Sequence, residues 1–212
     1  MALDRTTMIA AALELLDEAG LDGLTLRRLA SKLNVQAPAI YWHFKNKQEL
    51  LDEMASAVVR AGVQQLPTSA GVKWDKWAMA YGKGLRQILR LHRDGAKMIS
   101  GTRLTDNSLY APMESSLRTL VNAGFSPRLS MAALSTIYSY VVGFVIEEQA
   151  VCPRPGERDE FYGSQQRSQR VDGDKFPLAL QAGDLFSNFD QHFETGLKLI
   201  VAGVAAQKPA KR

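Results

Sequence analysis

Tyr41, Trp42 and His43 stand in a row inside a stretch, Thr25 to Lys47, that holds Arg27, Arg28, Lys32, Lys45 and Lys47 and no Asp or Glu. Cations at that density, with hydroxyl, indole and imidazole donors beside them, suit a polyanion. Guanidinium and ammonium groups neutralise phosphates, and ring donors add positioning bonds. Residues 1–24 are the opposite, with Arg5 against Asp4, Glu14, Asp17, Glu18 and Asp22. The whole chain of 212 residues carries only +4, with a pI near 9.2, so the placement of charge says more than its total. Other chemistry finds little support. His43, His92 and His192 are scattered, which gives no metal-ligand spacing. His92-Arg93-Asp94 matches part of a kinase catalytic loop, but no Gly-rich phosphate loop or Asp-Phe-Gly accompanies it. Gly-x-Ser-x-Gly and His-Glu-x-x-His are absent. An enzyme of unrecognised type stays open as an alternative. So does a redox sensor built on Cys152, the single cysteine, which has no resolving partner in the chain.

The elements that must position these residues read as helices. Runs with a 3.6-residue period are punctuated by Gly and Pro, and no stretch alternates with period two, so the expected class is all-α. A first helix is expected from Thr6 to Ala19, with Ile9, Ala12, Leu13 and Leu16 inward and Gly20 ending it. Thr25 suits the N-cap of a second helix, and Asn34 tolerates the left-handed turn after it. A third, about eight residues long, starts near Gln36 with Pro38 in its first turn and stops near Phe44. Asn46 with Glu49 reads as a capping box opening a fourth helix. Two short helices joined by a tight turn make a helix-turn-helix, packed through Leu29, Leu33, Val35, Ile40 and Phe44 with Tyr41, Trp42 and His43 outside. The same aromatics would also suit a core, and five cations a solvated face. Periodicity and charge leave these alternatives open.

Beyond residue 60 a larger helical unit follows. A helix striped by Trp74, Trp77, Ala78, Tyr81, Leu85 and Ile88 gives way to a turn at Asp94-Gly95. Others are expected over 107–122, from Ser126-Pro127 through Gln149, and from Phe186 to Ala206. Residues 153–184 read as a long loop with one short helix near 176–182. The two most apolar helices, Arg128–Gln149 and Phe186–Ala206, need partners. Ser130, Ser135, Thr136 and Ser139 interrupt the first, which makes its apolar run too short for a bilayer. A two-fold four-helix bundle with a second copy is the expected solution, without a membrane. The lone Cys152 and the absence of a signal-like N-terminus make the expected location the cytoplasm.

The strings Gly23-Leu24-Thr25-Leu26-Arg27-Arg28-Leu29-Ala30, Leu33-Asn34-Val35 and Pro38-Ala39-Ile40-Tyr41-Trp42-His43-Phe44-Lys45-Asn46-Lys47, followed by Leu50-Leu51-Asp52, closely resemble the DNA-binding domain of the tetracycline repressor family. His92-Arg93-Asp94-Gly95-Ala96-Lys97, Gly101-Thr102-Arg103 and Gly143 to Gln149 resemble its ligand and dimerisation segments. The match covers most of the chain, less closely over 60–90 and 153–185. The resemblance implies a DNA-binding helix-turn-helix domain over 1–48, a ligand-binding and dimerisation domain over 49–206 and a basic tail over 207–212. It implies a dimeric repressor on a pseudo-palindromic double-stranded operator, released by a small-molecule effector.

By resemblance, Arg27, Pro38, Tyr41, Trp42, His43 and Lys47 fall on operator-contacting positions, with Arg27 reading a guanine and Lys47 anchoring a phosphate. Thr25, Arg28, Gln36, Ala37 and Ala39 complete the expected DNA-facing set. Ala37 replaces the family's base-reading Gln and Ala39 a Thr, so the operator should differ. In the tetracycline-responsive members of the family the effector is a magnesium chelate. Here the metal-liganding His falls at Ile99, the ring-gripping His near Val63, the Asn near Tyr81 and the Phe at Leu85, while Thr102 and Glu147 remain. Magnesium wants oxygen ligands, which Ile99 does not offer, so no metal or other cofactor is expected. The expected pocket is lined by Trp77, Tyr81, Leu85, Ile88, Ile99, Tyr110, Met113, Leu117, Tyr138 and Val142. It suits a planar or amphipathic drug-sized compound, with Glu147 or Glu148 meeting a cationic group. Alternatively these residues simply fill the core. The 153–184 loop is a candidate lid.

Overall fold

The computed structural model describes residues 4–68, 71–103, 105, 107, 110–154, 156–159, 161, 166, 169–183 and 188–208. Among them are ten helices and no strand: α1 (Arg5–Gly23), α2 (Leu26–Lys32), α3 (Ala37–Tyr41), α4 (Lys47–Val63), α5 (Trp74–Leu89), α6 (Gly95–Ser100), α7 (Tyr110–Asn122), α8 (Pro127–Val151), α9 (Pro177–Gln181) and α10 (Phe189–Ala206). Parts of the expected 107–122 helix, of the 153–184 lid and of the basic tail, together with Phe186, lie outside the described residues.

Several starts have a local cause. The Thr7 N–H donates to Asp4 Oδ1, the Arg28 N–H to Thr25 Oγ1 and the Leu129 N–H to Ser126 Oγ, so α1, α2 and α8 are capped by their own sequence. Asn34 turns the chain out of α2 at φ +54°. α3 is shorter than its pattern suggests. Helix-type bonds from the Trp42 and Phe44 N–H groups carry the coil to residue 44, but Asn46 must be extended to cap α4, which stops the helix early. Asn46 Oδ1 accepts from the Glu49 N–H, and the Glu49 carboxylate reaches back to the Lys45 N–H. The buried face of α1 is Met8, Ala11, Ala12, Leu15 and Leu16, with Ile9 and Leu13 half-buried beside it. The stripe is rotated from expectation because α1 packs on α2 and α4 together.

One continuous apolar core runs from Met8 in α1 to Val201 in α10. α8 is its spine, packed against α5, α6, α7 and α10. One expectation is corrected here. By length and composition α8 does reach the apolar run needed to cross a bilayer, with a mean hydropathy of 1.7 over its most apolar segment. Its serines are too weakly polar to break the run. Yet Ser130, Glu148 and Gln149 on this helix are all buried inside the protein, and a helix hydrophobic nearly all round is also what the centre of a helical domain requires.

Candidate functional site

The helix-turn-helix presents a tight outward surface. Leu29, Ile40 and Phe44 are fully buried and hold α3 against α2, with Leu33 and Val35 half-buried beside them. This rotates Trp42 into solvent at 88% exposure and Tyr41 at 50%. Thr25, Arg27, Arg28, Gln36 and Pro38 are exposed as well, and Ala37, Ala39 and His43 are half-exposed. An indole left almost wholly in water covers no core, so its presence here argues for a partner.

The basic run is sorted by the fold. Lys32 turns back to α1, 2.7 Å from Glu18 and 3.1 Å from Glu14, and the Glu18 bond followed by that of Glu14 raises its pKa. The Arg28 guanidinium donates to the Gly23 carbonyl at 2.9 Å, and the Lys47 ammonium to the Leu21 carbonyl at 2.7 Å. Both keep their charge at the surface while being oriented by backbone. The acidic first helix and the basic second one are thus partly each other's counter-ions.

In the larger unit, Trp77 is buried, donates its indole N–H to the Pro67 carbonyl at 3.1 Å and stacks on Tyr81 at 5.2 Å. Burial pushes the Tyr81 phenol pKa up, and neighbouring Tyr138 adds to it. Ile88, Ile99 and Val142 are buried, and Leu85 and Leu117 half-buried. Thr102 Oγ1 donates to the Ile99 carbonyl at 3.0 Å. Tyr110, Met113 and Tyr138 are exposed, as is Glu147. The fold therefore brings Trp77, Tyr81 and Tyr138 together and turns Glu147 to solvent.

Sequence reasoning missed the buried ion pair that Arg86 makes with Glu148. Arg86 on α5 grips Glu148 on α8 with two bonds, Nε–Oε2 at 2.8 Å and an Nη to Oε1 at 2.5 Å, and reaches Asp190 on α10 at 2.7 Å. Arg90 adds a longer contact to Glu148 at 3.5 Å. Burial opposes the Arg86 charge, but the carboxylates outweigh it and raise its pKa. Its guanidinium also lies over the Phe193 and Phe144 rings, at 4.8 Å and 5.6 Å. The signal was legible. Ala78, Gly82, Arg86 and Leu89 share the inner face of α5, and Val141, Val145 and Glu148 that of α8. A cavity of about 390 Å³ opens beside this network, lined in part by Arg90, Cys152, Arg158 and Asp190. Burial raises the Cys152 pKa, which favours the unreactive thiol over a sensor's thiolate. Another cavity, about 460 Å³, lies between Trp74 and Asn122. Of the expected effector residues, Glu148 alone lines one of these two cavities, the smaller.

Residues 8–54 match the family described as bacterial regulatory proteins, tetR family, and residues 66–208 match the tetracyclin repressor-like C-terminal domain. The chain belongs to the tetracycline repressor family. It is 39% identical to the class A tetracycline repressor protein of transposon 1721 from Escherichia coli, over 97% of this chain and 92% of that one. A possible TetR family transcriptional regulator of Streptomyces coelicolor A3(2) superposes with a TM-score of 0.84 at 32% identity, over 96% and 99% of the two chains. A TetR variant of Acinetobacter baumannii AYE, solved with minocycline, gives 0.75 at 33%, over 99% and 100%. This member of the tetracycline repressor family is accordingly a DNA-binding transcriptional repressor of the ligand-responsive kind. Regulators of this family are in general not enzymes.

Proposed function

We propose that the protein is a cytoplasmic homodimer that represses by binding a pseudo-palindromic operator and is released by a drug-sized organic effector other than magnesium-chelated tetracycline. The observation that carries the DNA reading is the joint exposure of Tyr41, Trp42 and Arg27 on the packed pair of α2 and α3 and the turn that follows. Among the described residues the Arg27 side chain has no ion-pair partner, so its guanidinium is free to meet a guanine edge. The DNA-facing set is Thr25, Arg27, Arg28, Gln36, Ala37, Pro38, Ala39, Tyr41, Trp42, His43 and Lys47, in a reading unit spanning about 1–48.

The dimer reading rests on the outer faces of α8 and α10. Ser135, Ser139 and Gly143 on one, and Leu199, Ala202 and Gly203 on the other, are all exposed, and nothing lies within 4 Å of a Cβ added at either glycine. Small residues there let two helices from a second copy approach closely, giving a four-helix bundle. Two reading units on a two-fold axis then face successive major grooves.

The effector reading rests on Ile99. Where the tetracycline-responsive members carry a metal-liganding His, this chain has a buried aliphatic side chain, and the adjacent Thr102 hydroxyl donates to the Ile99 carbonyl. The residues present do not fit a magnesium site. The aromatic set of Trp77, Tyr81 and Tyr138, with Leu85, Leu117 and Val142, suits a planar apolar body instead. The test is a selection of operator duplexes from random DNA, followed by a release screen that includes minocycline with Mg²⁺ as one arm. The expected result is a palindromic consensus released by another compound. A protein that selects no consensus, or that minocycline with Mg²⁺ releases, overturns the corresponding half.

A further inference from the structure

A densely bonded polar junction outside the DNA-facing and effector sets lies where α1 meets the turn between α5 and α6. Asp17 on α1 accepts from His92 Nδ1 at 2.8 Å and from the Arg93 N–H at 2.9 Å, and its backbone carbonyl accepts from the Arg154 guanidinium. One turn later α1 breaks at Gly20, φ +69°, which frees the Leu21 N–H to donate to Asp94 Oδ2 at 3.0 Å. Asp94 is itself left-handed at φ +54°. The approach is close, because a Cβ at Gly20 would lie 2.9 Å from Asp94 Oδ2.

The turn is held as firmly from behind. Gln149, near the end of α8 and only 6% exposed, donates from Nε2 to the His92 carbonyl at 2.8 Å and accepts from the Ala96 N–H at 3.3 Å. Gly95 is pressed so close to α5 that a Cβ would meet the Leu89 carbonyl at 2.5 Å. Residues 92–96 therefore form a stiff plug between the C-terminal end of α8 and the reading unit. Arg154, just beyond α8, ties the same end directly to Asp17.

We infer that the end of α8 sets the tilt of the DNA-reading unit, with Asp17 and Gln149 as positioning residues at the two ends of the plug. A shift of α8 within the dimer then moves α1 by rigid displacement through bonded, closely packed groups. This rests on the DNA-binding reading above and adds a route for its control.

The test compares full-length wild type with Asp17→Ala, Gln149→Met and the double variant, using the operator selected by the wild type. Each single substitution should weaken operator binding by about tenfold, the scale of one or two lost hydrogen bonds. The double should be no weaker than the worse single, because the plug is already released. Multiplying effects, or singles that bind like wild type, overturn the inference. A second readout needs no operator: spin labels at Ser31→Cys in a Cys152→Ser background report the distance between the two reading units. Its distribution should broaden alike in all three variants at temperatures where they remain folded. A merely structural role lowers the melting temperature and leaves that width unchanged, which counts against the relay. If the wild type selects no operator, the DNA-binding reading fails by itself and the distance distributions still decide this one.

Discussion

At the scale of single residues, exposure separates the groups proposed to read DNA from the groups that hold the fold. Trp42 is 88% exposed, so Trp42→Ala should leave thermal stability within about 0.5 kcal/mol of wild type, as for surface substitutions generally. It should at the same time lower operator affinity in a gel shift. Arg27→Ala should cost about 1–3 kcal/mol of specific binding and relax preference at one base pair; competition among single-base operator variants measures both. Arg86 behaves in the opposite way. Its pair with Glu148 is buried, so Arg86→Ala leaves that carboxylate with only the longer Arg90 contact and should cost about 3–5 kcal/mol in chemical denaturation. An Arg86→Met, Glu148→Leu double should recover much of that loss, since no buried charge of the pair is then stranded. The identity of these two residues was plain in the sequence, but their pairing was not. They are 62 positions apart, and only the packing of α5 on α8 brings them together.

At the scale of elements, the chain's own capping residues determine where helices start. The α4 box is the clearest case, because Asn46 and Glu49 satisfy backbone donors on both sides of that helix start. Asn46→Ala should lower stability by about 1 kcal/mol. The Lys45 N–H, and then Arg5, hold the Glu49 carboxyl below its ordinary value of 4.5. The sign follows: its contribution is full above that value and is lost as pH falls below it. Glu49→Gln should therefore flatten the acid limb of the stability profile followed by circular dichroism. Caps and periodicity placed α1, α2, α4, α5 and α8 well. They overestimated α3, since its end depends on Asn46 being extended to cap α4, and they rotated the α1 stripe, since a helix packed on two neighbours buries a wider face.

At the scale of the whole molecule, the proposed dimer would turn two short helix-turn-helix units into a reader of a two-fold operator. Leu199 is 70% exposed on α10, and a charge there would have to be desolvated in the bundle. Leu199→Glu should yield monomers in sedimentation velocity and abolish binding to the two-site operator. Its monomers should retain helical circular dichroism, because that side chain is not part of the core of one chain.

The sequence by itself determined the all-α class, the sites of most helix starts, the concentration of cations over α2 to α4 and the membership of a repressor family. Those properties are local: they depend on residues within about one helical turn or on strings read in order. The tertiary structure decided which of those cations remain at the surface, with Lys32 taken up by Glu14 and Glu18. It also decided that Glu148 is buried while Glu147 faces solvent, and that Asp17 meets His92 across 75 positions. Such pairings depend on the rotation of each helix about its axis and on what packs against it, and a one-residue change in either exchanges an inner side chain for an outer one.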